Sequence, residues 1–131
     1  MVSLLIENGL IVTMDGDRRI LEDGCIAIEN EEIVDVGKMD EVRSRYRAEK
    51  VIDAKGKVVV PGFICSHTHL YGMLLRAAPL RIAPPSNFAQ ILERVWWPTD
   101  ESLNVQDAYA SALAGCLEFL RSGVTCFADT Y

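Results

Sequence analysis

Two histidines, His67 and His69, are the residues whose type and spacing offer the clearest chemistry in this 131-residue sequence, and the sequence contains no other histidine. They follow the apolar residues 63–65, which predict a strand. Because side chains alternate between the two faces of a strand, both imidazoles are expected on one face, roughly 7 Å apart along it. Imidazole is the commonest metal ligand among side chains, so the pair predicts a site for one divalent metal ion.

A histidine pair at this spacing also occurs in strands that bind nothing, where the rings pack in the core or lie on the surface. The position of this pair favours the metal, because functional groups collect where the strands of parallel α/β architectures end. A catalytic zinc takes three protein ligands and one water. Asp129, at the end of a second predicted strand, is a candidate third ligand that would give a site of two histidines and one carboxylate.

The connection that follows the histidines, residues 72–98, is long and contains three prolines before a helical pattern at residues 88–96. Connections of this length at the end of a strand are typical of binding loops and lids. Trp97, from the pair Trp96-Trp97, is the expected aromatic contact for a substrate, and Tyr71 is the second candidate. Packing in the core is the alternative for either ring.

The other elements form the frame for these residues. Residues 1–60 predict short strands separated by turn signals, among them a hairpin at Asn8-Gly9 and another at residues 29–32, and together a small β-sandwich domain. Residues 61–131 predict a strand, the long loop, a helix over residues 105–121 and a strand over residues 124–128. A strand, a crossover helix and a second strand form a βαβ unit with parallel strands, so the fold class is α/β.

Composition excludes several classes of protein. The net charge of −6 argues against nucleic acid or an anionic membrane as the main partner. No apolar run approaches the roughly 20 residues of a membrane span, and the first residues lack the basic and apolar regions of a signal peptide. The four cysteines show no disulfide or Cys-x-x-Cys spacing. We therefore expect a cytoplasmic location with reduced thiols.

The stretch Val60-Pro-Gly-Phe-Ile-Cys-Ser-His-Thr-His-Leu70 resembles the signature that opens the catalytic barrel in the amidohydrolase superfamily. The similarity is to the cytosine deaminase-like branch, which includes chlorohydrolases, adenosylhomocysteine deaminases and SsnA-type aminohydrolases. This resemblance implies that residues 61–131 begin a TIM-type (β/α)8 barrel, with first strand, lid loop, first helix and second strand, and that residues 1–60 belong to a small composite β-sandwich. It also implies a metal ion at His67 and His69, with zinc expected and iron as the alternative.

In such a family, a third histidine ligand, a catalytic histidine and glutamate, and a final aspartate come from later strands, so no catalytic residue is expected in this chain. A (β/α)8 barrel takes about 250 residues. Two hypotheses follow. In the first, the chain is the N-terminal portion of a metal-dependent hydrolase that cleaves a C–N or C–Cl bond of a small heteroaromatic substrate, and a further polypeptide segment completes the barrel. In the second, it is a non-catalytic remnant that folds by association with itself or a partner.

Overall fold

The computed structural model describes residues 1–76, 78–79 and 81–130, and the chain divides into two compact units, Met1–Pro61 and Gly62–Tyr131. The elements of the first unit are β1 (Val2–Val12), β2 (Ile20–Glu29), β3 (Glu32–Lys38), α1 (Met39–Arg45), β4 (Ala48–Asp53) and β5 (Val58–Val59). Those of the second are β6 (Phe63–Thr68), a 3₁₀ helix (Leu70–Leu75), α2 (Phe88–Ile91), a π-helical segment (Leu92–Trp96), α3 (Trp97–Ser102), α4 (Val105–Ser122) and β7 (Val124–Asp129). Both units mix helices and strands, as the α/β prediction requires.

The strands of the first unit form one five-stranded sheet in the order β3-β2-β1-β4, and β5 also pairs with β1. The β1–β2 and β2–β3 pairs are antiparallel, whereas β4 and β5 run parallel to β1. The predicted hairpin at residues 29–32 is confirmed, with Asn30 at a positive φ of 54° in the turn. A sandwich needs a second sheet, which the described strands of this unit do not form, so the sandwich domain stays a prediction.

The core of the first unit lies between this sheet and α1. Because side chains alternate between the two faces of a strand, every second residue of β1 from Leu5 onward is buried. α1 contributes Val42, whose side chain is fully buried. The buried cluster consists of Val2, Leu5, Cys25, Ala27 and Val42.

The predicted hairpin at Asn8-Gly9 is wrong, because β1 runs through both residues. They form an irregularity in the pairing of β1 with β2, with Asn8 at a positive φ of 61°. β1 pairs with β4 before this point and with β5 after it. Asn8 donates a hydrogen bond to Asp53 Oδ1 at 2.8 Å, and a Cβ on Gly9 would lie 2.8 Å from Val59 Cγ2. The two residues therefore form a bulge at which β1 changes its parallel partner, a known use of glycine within strands.

The second unit contains the predicted βαβ arrangement, since β6 and β7 are parallel and α4 connects them along the chain. The start of α4 is fixed by a capping box between Asn104 and Asp107, and its end by Gly123 in the left-handed conformation. The helical pattern predicted at residues 88–96 continues to Ser102, because Pro98 lies at the start of α3, where a missing N–H is tolerated. No helix in the described part of the chain is both long and apolar enough to cross a membrane.

Candidate metal centre

β6 carries His67, and His69 follows directly after its last residue, Thr68. His69 has φ −132° and ψ 89°, so the backbone remains extended one residue beyond the strand. The alternation of side chains is preserved across this step, and both imidazoles point to the same place. The position of the pair follows from the strand, as the sequence predicted.

Close packing of β7 fixes β6 beside it. The amide of Phe63 donates to the carbonyl of Gly123 at 2.9 Å. A Cβ on Gly62 would collide with the side chain of Thr125 on β7. The Pro61-Gly62 pair at the strand entrance therefore has a physical reason: proline precedes the ladder, where its missing donor is not needed, and glycine allows the two strands to approach.

The two imidazoles converge on each other. The Nε2 atoms of His67 and His69 lie 3.0 Å apart, with ring centroids at 4.9 Å. Nδ1 of His69 lies 2.7 Å from the carbonyl oxygen of Thr130, just beyond β7. A carbonyl oxygen only accepts, so Nδ1 of His69 carries the proton and its Nε2 presents a lone pair in the neutral ring. The neighbouring strand thus sets the tautomer of His69 that a metal requires.

A metal ion fits between these two atoms. Zinc binds imidazole nitrogen at about 2.0–2.1 Å, so two histidine nitrogens on a tetrahedral zinc lie about 3.3 Å apart. The observed separation of 3.0 Å between the Nε2 atoms needs only a small opening of the side chains to match. Because Nε2 of His69 carries no proton in this tautomer, it accepts the hydrogen bond between the two rings and Nε2–H of His67 donates it.

Asp129 does not serve as the third ligand in this arrangement. Its Oδ1 accepts a hydrogen bond from the amide of Leu70 at 2.9 Å, so the carboxylate ties the turn after His69 to the end of β7. Among the described residues, no group of three histidine, cysteine, aspartate or glutamate side chains is placed to hold a metal. Residues 1–76, 78–79 and 81–130 therefore supply a two-histidine half-site.

Two aromatic rings lie next to His69. The centroid of Tyr71 is 5.9 Å from that of His69, and the centroid of Trp96 is 5.8 Å from it. Tyr71 is buried, whereas Trp97 is half exposed. The structure therefore places Tyr71 beside His69 and leaves Trp97 on the surface of α3, and substrate contact by either residue stays a proposal.

Two contributors escaped the sequence analysis. Trp96, the other member of the tryptophan pair, is the one beside His69, and the signal that could have found it is the small Gly72 on which it packs. The second is the carbonyl of Thr130, a backbone group that no side-chain pattern reveals.

Comparisons with known proteins identify relatives of this chain. Residues 58–131 match the model of the Amidohydrolase family. The 5'-deoxyadenosine deaminase of Methanosarcina mazei is 38% identical over 131 residues, 100% of this chain and 28% of the relative. A 5-methylthioadenosine/S-adenosylhomocysteine deaminase of Pelotomaculum thermopropionicum is 36% identical over 100% of this chain and 29% of its own length. The chain thus spans under a third of the curated relatives it matches.

Solved structures give the same result. An adenosine deaminase from Xanthomonas campestris with bound zinc matches 99% of this chain and 29% of its own with a TM-score of 0.84 at 27% identity. Atrazine chlorohydrolase from Arthrobacter aurescens, complexed with zinc, matches 96% of this chain and 28% of its own with a TM-score of 0.76 at 36% identity. A parallel strand pair that presents two convergent histidines, and a family match that spans this whole region, lead to one conclusion: the chain belongs to the amidohydrolase family.

Proposed function

We propose that this chain supplies two ligands, His67 and His69, to the zinc centre of a hydrolase that releases an amino group from a small heteroaromatic substrate. The observation that carries the proposal is the convergence of the two Nε2 atoms to 3.0 Å. The fixed tautomer of His69 supports it, since Nδ1 is committed to the Thr130 carbonyl.

The chemistry expected at this half-site is hydrolytic. A bound zinc ion lowers the pKa of its water to about 7, which makes hydroxide available at neutral pH. His67 and His69 hold the ion, and Thr130 orients His69. The proton transfers need a carboxylate and a histidine, which we assign to residues beyond this chain. Iron is the alternative metal, and removal of chloride is the alternative reaction.

The substrate class follows from the relatives and from the rings near the site. The deaminases named above act on adenosine derivatives, and an aminated purine is a flat ring that stacks on aromatic side chains. We propose Trp97 as a surface platform for such a ring at the mouth of the site. Tyr71, which is 7% exposed and lies beside His69, is the second candidate for contact with the substrate. The unpaired thiols of all four cysteines support a cytoplasmic location.

A further polypeptide segment is proposed to complete the barrel. Apolar side chains of the second unit are exposed on both β6 and α4: Phe63 is 58% exposed, Ile64 74% and Leu120 73%. A two-stranded sheet is marginal by itself, and open strand edges pair with other strands. The alternative, a remnant that associates with itself, predicts a homo-oligomer of this chain that has no hydrolase activity and gains none with a supplied segment.

The test uses His67→Ala and His69→Ala in the complete protein that contains this chain. Both variants should lose bound zinc and release of ammonia from aminated purines, pyrimidines and triazines. Ser66→Ala, next to His67 on β6, is the matched control and should keep both. Variants that retain their zinc and activity would contradict the proposal, whereas hydrolysis of a cyclic amide in place of ammonia release would change the reaction and leave the metal centre intact.

A further inference from the structure

Trp96 makes contacts at the metal ligands that its position in the sequence does not suggest. Its ring lies 5.8 Å from that of His69 with the planes tilted by 46°. It also meets Tyr71 at 5.4 Å, nearly edge to face at 82°. Tyr71 in turn lies edge-on to His69. His69, Tyr71 and Trp96 therefore form a cluster of three rings in which each ring contacts the other two.

The space for this indole is provided by Gly72. A Cβ at that position would lie 3.2 Å from Cη2 and 3.4 Å from Cζ3 of Trp96. The first distance is tighter than most van der Waals contacts and the second lies at the limit of ordinary contact, so a residue with a Cβ at this position would require the indole to shift by a few tenths of an ångström. The glycine comes three residues after His69, and its amide donates to the carbonyl of His69 at 2.9 Å. Gly72 therefore closes the tight turn after His69 and also forms the surface on which the indole of Trp96 packs.

The π-helical segment Leu92–Trp96 ends at this tryptophan. A π turn holds more residues than an α turn. Because each residue of an α-helix rotates by about 100° about the helix axis, the wider turn changes the direction in which the following side chains point. Here Trp96 is turned toward His69, and Trp97 is 52% exposed. Such π segments occur frequently at functional sites.

We propose that Trp96 is a positioning residue for the metal centre. The hydrogen bond from Nδ1 of His69 to Thr130 fixes the tautomer but leaves the ring free to pivot about the N–H···O direction. Contact with the indole removes this freedom and keeps Nε2 of His69 facing Nε2 of His67. The inference rests on the proposed function, in which these two atoms bind a metal.

The size of the effect follows from what outer contacts contribute to metal sites. Loss of a partner that orients a histidine ligand typically lowers metal affinity by 10- to 100-fold. Trp96 makes a ring contact and Thr130 keeps its hydrogen bond in the variant, so we expect the lower end, about tenfold, for Trp96→Ala. Trp96→Phe retains an aromatic ring over Gly72 and should recover most of the affinity.

The experiment measures binding of Co²⁺ to this chain by its visible absorption and by isothermal titration. The variants are Trp96→Ala, Trp96→Phe and the control Tyr109→Phe, at an exposed ring of α4, which should bind like the unmodified chain. Trp96→Ala should bind about tenfold more weakly and show an altered cobalt spectrum. Equal affinity and an identical spectrum in folded Trp96→Ala would overturn the inference.

Two further measurements keep the outcomes separate. If His67→Ala and His69→Ala bind Co²⁺ as tightly as the unmodified chain, the metal centre itself is wrong. If those variants lose binding but Trp96→Ala does not, only the role of Trp96 is wrong. If Trp96→Ala fails to fold, the Trp97→Phe protein tests the position of the indole, because Trp96 is the sole tryptophan of that variant. Co²⁺ should quench its fluorescence, and unchanged emission at saturation would refute the placement of the indole.

Discussion

Replacement of Gly115 by alanine tests how tightly α4 is packed against the turn that follows His69. Gly115 is buried in α4. A Cβ there would lie 2.5 Å from Cδ2 of Leu70 and 3.5 Å from Cγ of Met73. Leu70 is only 6% exposed and directly follows His69, so it has little room to move. The added methyl group must displace either the leucine or the helix.

Two effects of opposite sign decide the result. Alanine is about 1 kcal/mol more favourable than glycine inside a helix. Overpacking a buried contact costs about 1–3 kcal/mol, and the 2.5 Å approach to Leu70 places this site in the upper half of that range. We therefore expect Gly115→Ala to lower the free energy of unfolding by about 1–2 kcal/mol, the difference between the two effects.

Urea unfolding followed by circular dichroism measures this change. Ala114→Gly, at the exposed neighbouring position of α4, is the control for helix propensity and should cost about 1 kcal/mol. In the double variant Leu70→Ala with Gly115→Ala, the second substitution should cost less than it does alone, because the added methyl group fills space that the leucine vacates. A Gly115→Ala protein more stable than the unmodified chain would refute the packing argument.

Two further predictions concern α1 and the sheet beneath it. Arg43 forms an ion pair with the buried Glu7 at 3.0 Å, and because the arginine side chain is 42% exposed we expect Arg43→Ala to lower the free energy of unfolding by about 1–3 kcal/mol, less than the loss of a fully buried pair. Urea unfolding should show a smaller loss of stability from Arg43→Ala when Glu7→Gln is also present, and almost no loss from Arg47→Ala at an exposed position. An unchanged loss in the presence of Glu7→Gln would mean that packing of the Arg43 side chain is responsible. Burial, and secondly the nearby Glu7 carboxylate, raises the pKa of the Cys25 thiol to about 11. At pH 8 an aromatic disulfide reagent should therefore label the exposed Cys126 in the folded protein and Cys25 only after unfolding. Peptide mass mapping measures the labelling, and equal rates at the two thiols would contradict the burial of Cys25.

The sequence predicted the elements that depend on local signals. The two imidazoles were predicted to share one face, and they do, because side chains alternate along a strand and His69 continues β6 with an extended backbone. The helix over residues 105–121 was predicted from its Asn104 cap and its Gly123 stop, and both perform these roles. In each case the residues that determine the structure are close together in the chain.

Contacts between distant residues escaped prediction. The Asn8-Gly9 dipeptide carries a strong hairpin signal, but its role is decided by the parallel partners β4 and β5, which lie some 40 residues or more along the chain. Trp96 was passed over in favour of Trp97 because a π-helical segment changes which ring faces His69. Neither the register of a bulge nor the phase of a widened helix turn can be derived from hydrophobic periodicity alone.

We propose that His67 and His69 bind one zinc ion through their Nε2 atoms. Nitrogen-15 NMR of the imidazole rings during zinc titration tests it directly, and with only two histidines in the chain the His67→Ala and His69→Ala variants assign every signal. Zinc should shift the Nε2 resonances of both rings together, while Nδ1 of His69 keeps the proton that it donates to Thr130. Shifts at Nδ1 of His69, or at one ring alone, would contradict the account.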